Sequence, residues 1–156
     1  HLFTNDIIYY MRTQHNLYVG ETTAENIKIS IGAATEDLEV PPEEMSVQGR
    51  DLLTGKPKQV TITYGEIAKA LDKSILRVED AVMETLSQTP PELAADIAES
   101  GIVLTGGGAL LKNLDKLLTN ETGMPIIVAD DPLSSVVLGS GRALDKFDIL
   151  KEIAID

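Results

Sequence analysis

The sequence contains no cysteine and no tryptophan, and only two of its 156 residues are histidine. Without cysteine there is neither a disulfide framework nor a thiolate metal site. One histidine is the first residue, His1, and the other is His15, so a histidine triad or metal cluster has no support. Basic residues are scarce as well: 13 Lys and Arg stand against 25 Asp and Glu, a formal charge of −12. That balance argues against nucleic acid, which needs a basic patch to displace phosphate counterions. It leaves a nucleotide open, because exposed charges are screened beyond ~8 Å in physiological salt and local backbone dipoles then decide the site. No apolar run approaches the ~20 residues of a membrane-spanning helix, and no secretory signal is visible. A lysine-bearing phosphate loop of the G-x-x-x-x-G-K type is also missing, as are internal repeats and low-complexity tracts.

What is present centres on GIVLTGGGALL, Gly101 to Leu111. Ile102, Val103, Leu104 and Thr105 show no polar alternation, the pattern of a strand covered on both faces in a parallel α/β sheet. Gly106, Gly107 and Gly108 carry no Cβ, and a helix starting near Ala109 and Leu110 points its free N–H groups at the space beside them. Such a turn suits a nucleotide or another anion. The plainer alternative is a tight strand-to-helix turn that needs glycine only to pack. Leu110, Leu111, Leu114, Leu117 and Leu118 form the apolar stripe of that helix, and Gly123 is its C-cap. Pro125 to Ala129 reads as a second buried strand, and Asp130-Asp131-Pro132 as the start of a helix containing Gly139 and Gly141.

Upstream, residues 4–15 predict a helix capped by Thr4 or Asn5, with Ile7, Ile8 and Met11 on one side and His15 favourable to its C-terminus. Thr22-Thr23-Ala24-Glu25 fits a capping box opening a helix through Ile31 to Gly32, with Glu25 and Lys28 three apart on one face. Residues 44–48 and 59–63 alternate apolar with polar and predict a hairpin with a longer loop. Thr63 and Glu66 make a second capping box. The helix behind it keeps Ile67, Leu71, Ile75, Val78, Val82 and Leu86 on one face, a core stripe, until Pro90-Pro91 ends it and opens a shorter helix.

TGGGALLKNLDKLLTNETGMPIIVADDPLSSVVLGSGRAL and the preceding PPELAADIAESGIVL resemble the C-terminal part of the MreB family of bacterial actin-like proteins. The resemblance extends more loosely to VGETTAENIKISIG, residues 19–32. It implies an α/β fold, the actin-like (ribonuclease H-like) ATPase fold, present only as a remnant of the second lobe. The expected division is a small subdomain of helices plus a β-hairpin over residues 1–65, and a remnant of the large α/β subdomain with the glycine turn over 66–156. It further implies ATP or ADP with Mg2+ as cofactor. Glu25, Asn26, Ile27 and Lys28 fall on the helix that closes over adenine and ribose in the family, and Gly106, Gly107, Gly108, Ala109 and Leu110 on the facing turn. Glu25 then accepts from a ribose hydroxyl, and Lys28 lies along the base or reaches the ribose.

In the superfamily the phosphate-binding hairpins and the residues that organise magnesium and water precede the matched region. The chain is therefore expected to be a fragment with no catalytic and no metal-binding residues, unable to hydrolyse ATP alone because phosphoryl transfer is mostly positioning. Two strands without the rest of their sheet are expected to seek cover by self-association. The family forms filaments at the inner face of the cytoplasmic membrane that guide cell-wall synthesis, and its second lobe docks the transmembrane protein RodZ. The implied partners are thus other protomers and a RodZ-like protein, without nucleic acid or direct membrane insertion. Two other readings stay open: a fragment of a sugar kinase, acetate kinase or heat-shock chaperone on the same fold, and a remnant that binds nothing.

Overall fold

The computed structural model describes residues 2–92, 95, 102–105, 111–129 and 136–138. Helix α1, Leu2–His15, buries Phe3, Ile7 and Met11. Its start lies before Thr4 and Asn5, and Thr4 is itself buried, so neither is the expected cap. Strand β1, Leu17–Tyr18, follows a left-handed Asn16 (φ 52°), and helix α2 spans Glu21–Ile31. Strands β2, Met45–Asp51, and β3, Pro57–Ile62, form the expected antiparallel hairpin. β1 pairs with β2, Leu17 opposite Asp51 and Tyr18 opposite Arg50, giving a sheet ordered β1-β2-β3. A two-residue strand carries too little alternation to show in the sequence.

Helix α3, Tyr64–Ser87, begins where the sequence places it. Thr63 Oγ1 accepts from the Glu66 N–H at 3.3 Å, and the Thr63 N–H donates to Glu66 Oε2 at 2.9 Å, a complete capping box. Ile67, Leu71, Ile75, Val78 and Val82 are buried, and Leu86 packs against the same core. One cluster of buried apolar residues runs from Phe3 through α2 and α3 to Leu118 and Ile126. The expected helix after Pro91 falls largely outside the described residues.

The second sheet is ordered β5-β4-β6, from β4, Ile102–Thr105, β5, Ile126–Ala129, and β6, Val136–Leu138. β4 and β5 are parallel, Ile102 opposite Ile126, as expected. β6 corrects two expectations: Val136–Leu138 lies antiparallel to β4, where a helix was expected after Pro132, and the sheet has three strands instead of two. β-branched Val136 and Val137 favour that extended state over a glycine-interrupted helix. Between β4 and β5, helix α4 spans Leu114–Thr122 and ends on Gly123 at φ 69°, the expected left-handed C-cap.

Two further helix starts differ from the sequence reading. At α2 the N-cap is Gly20, with no side-chain cap hydrogen bond, so Thr22 and Glu25 lie inside the helix and make no capping box. α4 starts at Leu114, not as an unbroken helix from Ala109, since Leu111–Asn113 is non-helical and Asn113 is left-handed at φ 66°. The backbone of that segment is engaged elsewhere, across to the end of α2.

Candidate functional site

The two segments expected to face a nucleotide come from parts of the chain about eighty residues apart, and the fold brings their margins together. α2 ends at Gly32, whose N–H donates to Lys28 O at 2.8 Å. The Lys112 N–H then donates to Gly32 O at 3.1 Å and the Ala34 N–H to Lys112 O at 2.8 Å, around a parallel bridge between Ala33 and Lys112. The Lys112 ammonium donates to Ser30 O at 3.0 Å and Ile29 O at 3.4 Å, placing a cation on the carbonyl end of α2. Asn113 Nδ2 donates to Thr35 Oγ1 at 3.2 Å and to Asp37 O at 2.6 Å. Leu111 is buried against Gly32, so closely that a Cβ there would overlap Lys28 O and stand 2.8 Å from Leu111 Cδ2. Glycine at 32 is required by this approach, not by its backbone angles, φ −66° and ψ 131°.

The four α2 residues singled out in the sequence do not share one surface. Successive positions turn by ~100°. Ile27 is fully buried in the core. Asn26 is exposed and, with Thr23, lines a cleft of about 380 Å3 against Ser46, Gln48 and Gln59 of the hairpin. Glu25 and Lys28 occupy the other flank of the helix, Nζ to Oε1 2.9 Å, with Lys28 only 4% exposed and Glu25 41%. A lysine so buried needs its counter-charge, and Glu25 supplies it. Gly106, Gly107, Gly108, Ala109 and Leu110 lie outside the described residues, between the end of β4 at Thr105 and the anchored Leu111.

The half-exposed Glu25 carboxylate accepts hydrogen bonds, and the Lys28 ammonium has donors beyond the one it gives to Glu25. At this flank the Glu25 carboxylate can accept from a hydroxyl or amino group. Among the described residues no group of three or more His, Cys, Asp or Glu could hold a metal ion. Lys112 and Asn113 were not singled out in the sequence. The available signal was weak, an asparagine of the type that tolerates the left-handed region placed where a helix was expected to run on.

A separate polar knot joins α1 to α3. Glu66 Oε1 accepts from Tyr10 OH at 2.9 Å and lies 3.0 Å from His15 Nε2. His15 thus meets the acidic start of α3 and not only the end of its own helix. Burial pushes the Tyr10 hydroxyl up to about 12, helped by its hydrogen bond to Glu66 and by that carboxylate's charge. For Glu66 burial acts upward, but the Thr63 N–H, Tyr10 and His15 outweigh it and hold the carboxyl below its ordinary value.

A family model for the MreB/Mbl protein matches residues 1–152. Over 147 residues the chain is 49% identical to the cell shape-determining protein MreB of Escherichia coli strain K12, covering 94% of this chain and 42% of that protein. It is 40% identical over 148 residues to the cell shape-determining protein Mbl of Bacillus subtilis strain 168, covering 95% and 44%. Among solved structures, MreB5 of Spiroplasma citri bound to ADP is similar with a TM-score of 0.76 and 38% identity, over 84% of this chain and 39% of that one. The MamK double helical filament is similar with a TM-score of 0.63 at 18% identity, over 92% and 42%, a likeness of fold alone. The chain spans less than half the length of these curated relatives. The fold is the actin-like one, represented in part. In place of the kinase and chaperone alternatives, the chain belongs to the MreB/Mbl family of cell shape-determining proteins.

Proposed function

We propose that the chain is the adenosine-side part of a nucleotide-binding filament protein of the bacterial cytoskeleton, acting at the inner face of the cytoplasmic membrane to guide wall synthesis. The observation that carries the reading is the seam between α2 and residues 111–113. It fixes the Glu25–Lys28 flank relative to the segment that leads out of the glycine turn. MreB5 of Spiroplasma citri, a similar protein, has been solved bound to ADP and bound to AMPPNP. In this chain Glu25 and Lys28 bind ribose and base, and Gly106, Gly107, Gly108, Ala109 and Leu110 are the further residues proposed to contact the nucleotide. Self-association follows the filament habit of the fold, and a RodZ-like membrane protein is the further partner. This 156-residue chain does not hydrolyse ATP by itself.

Calorimetric titration with magnesium ADP and magnesium ATP tests the reading. Both nucleotides are expected to bind weakly and alike, because discrimination would need partners for the third phosphate. Replacing Glu25→Gln and Lys28→Met together avoids a buried unpaired ammonium and removes charged hydrogen bonds, so affinity is expected to fall about tenfold or more. Absence of binding, or affinity unchanged by the double replacement, overturns the assignment. Steady-state ATP turnover matching that of a full-length relative overturns the statement on hydrolysis.

A further inference from the structure

Strand β2 runs from Met45 to Asp51, but β1 covers only its last two residues, Arg50 and Asp51. In an antiparallel ladder alternate residues turn both backbone polar groups to the same neighbour. The Asp51 N–H donates to Lys56 O on the β3 side, so Asp51, Gly49, Val47 and Met45 serve β3. Arg50, Gln48 and Ser46 face the other way, and the Leu52 N–H, which continues that set, donates to Asn16 O at 2.9 Å. Beyond Tyr18 the chain turns away into α2. Among the described residues, therefore, no strand stands opposite the N–H and C=O groups of Ser46 and Gln48.

This open length of edge lies along the cleft of about 380 Å3 whose other wall is Thr23 and Asn26 of α2. The side chains of Thr23, Asn26, Ser46, Gln48 and Gln59 on its lining are uncharged, in a chain of charge −12. Among the described residues, none of the five hydrogen-bonds to another protein group. The edge is also unguarded. Sheets blunt an exposed edge with proline or lysine, and β3 at the opposite edge carries both: Pro57 has no N–H to offer, and Lys56 and Lys58 flank it. Met45 to Gln48 include neither.

We propose that the β2 edge at Ser46 and Gln48 takes an extended peptide segment of a partner protein, added as a strand in line with β1, with Thr23 and Asn26 closing on its far side. The contact depends on neither nucleotide nor filament. Main-chain hydrogen bonds supply the affinity and the pleat supplies the selection. Val47 is buried and Met45 packs against the core, while Ser46 and Gln48 are exposed. The segment that fits therefore alternates apolar with uncharged polar residues over about four positions. A charged residue on its outward face would find no counter-charge in Ser46, Gln48 or Gln59. A small neutral ligand could use the same side chains but would leave the two backbone positions unanswered, and for that reason a strand is favoured.

The probe is a capped synthetic pentapeptide copying residues 59–63, an uncharged alternating sequence whose first four residues already pair with β2 on its other side. It is titrated to millimolar concentration into the nitrogen-15-labelled 156-residue chain without nucleotide. The Ser46 and Gln48 amide signals are expected to move saturably, with those of Thr23 and Asn26 following. Two versions of the peptide, N-methylated at its two alternate sets of residues, separate strand pairing from side-chain contact. One is expected to bind at least tenfold more weakly and the other within about threefold of the parent, because only one set faces β2. Ser46→Pro removes a donor that no described protein group uses, so the hairpin is expected to keep its pairing while peptide affinity falls about tenfold or more. A peptide that moves neither amide, or two N-methylated versions that bind alike, overturns the proposal. Movement of Thr23 and Asn26 alone would assign the cleft to a ligand held by side chains, and movement of Ser46 and Gln48 with protein concentration before peptide is added would place a second copy there; either result overturns it as well.

Discussion

Replacing Gly32→Ala tests the seam between the end of α2 and residues 111–113, on which the proposed site rests. The added methyl overlaps Lys28 O and comes within 2.8 Å of Leu111 Cδ2 and 3.0 Å of Lys28 C. Leucine can shift a methyl, but the carbonyl is backbone and accepts the Gly32 N–H at 2.8 Å, so relief must disturb that bond or the Lys112 N–H to Gly32 O bond at 3.1 Å. Overpacking of this kind costs ~1–3 kcal/mol, and a weakened hydrogen bond adds ~1 kcal/mol. Against this, alanine at φ −66° is unstrained and narrows the unfolded ensemble, a gain of ~0.4–1 kcal/mol. The net is about 2 kcal/mol of destabilisation, a fall in Tm of roughly 4–8 °C for a chain of this size. Gly20→Ala is the control: it gains the same entropy, meets no atom within 4 Å, and loses only the preference for glycine at an N-cap. Its Tm is expected to stay within about 2 °C of the parent. Thermal unfolding followed by circular dichroism reads both. If Gly32→Ala melts with the parent, Leu111 and Lys112 do not press on α2 as described, and the site loses its frame.

Thr63→Ala removes the hydroxyl that caps α3 and is expected to lower stability by ~1 kcal/mol in urea denaturation; an unchanged midpoint would show that the capping box contributes nothing. The Tyr10 hydroxyl, pushed up to about 12, stabilises the fold in full below the ordinary tyrosine value of 10.0 and loses that contribution as pH rises toward 12. Tyr10→Phe should flatten stability across that window, and an identical alkaline profile would contradict the Glu66 contact. Glu66 carries the opposite sign: its contribution is present above the ordinary value of 4.5 and is lost as pH falls through its lowered value, a dependence that Glu66→Gln should remove. Persistence of the same acid slope in Glu66→Gln would assign it to other carboxylates.

Elements with strong local signals were legible in the sequence. The α3 stripe at steps of three and four, the Thr63–Glu66 box, the alternating hairpin and the glycine ending α4 all rest on contacts within a few residues, and the structure repeats them. At α2 the same capping logic failed, because Thr22 and Glu25 satisfy the pattern at interior positions while the chain leaves β1 through Gly20 and turns helical two residues earlier. The start of α4 was illegible for a different reason. Leu111 and Lys112 fit a helical stripe, and only pairing with Ala33 and Gly32, remote in sequence, pulls them out of it. The same remote pairing makes the candidate site. Spacing named Glu25 and Lys28 as an ion pair and the family resemblance made them site candidates, but neither tells that Ile27 faces the core and Asn26 a different cleft, since that depends on which side of α2 the rest of the fold covers.

Hydrogen–deuterium exchange of the 156-residue chain, with and without saturating ADP, locates the nucleotide directly. Slowed exchange is expected at residues 25–28 and 106–113, with residues 45–62 of the hairpin unchanged. Protection confined to the hairpin or to the middle of α3, with none at those two segments, would contradict a nucleotide seat between α2 and the glycine turn.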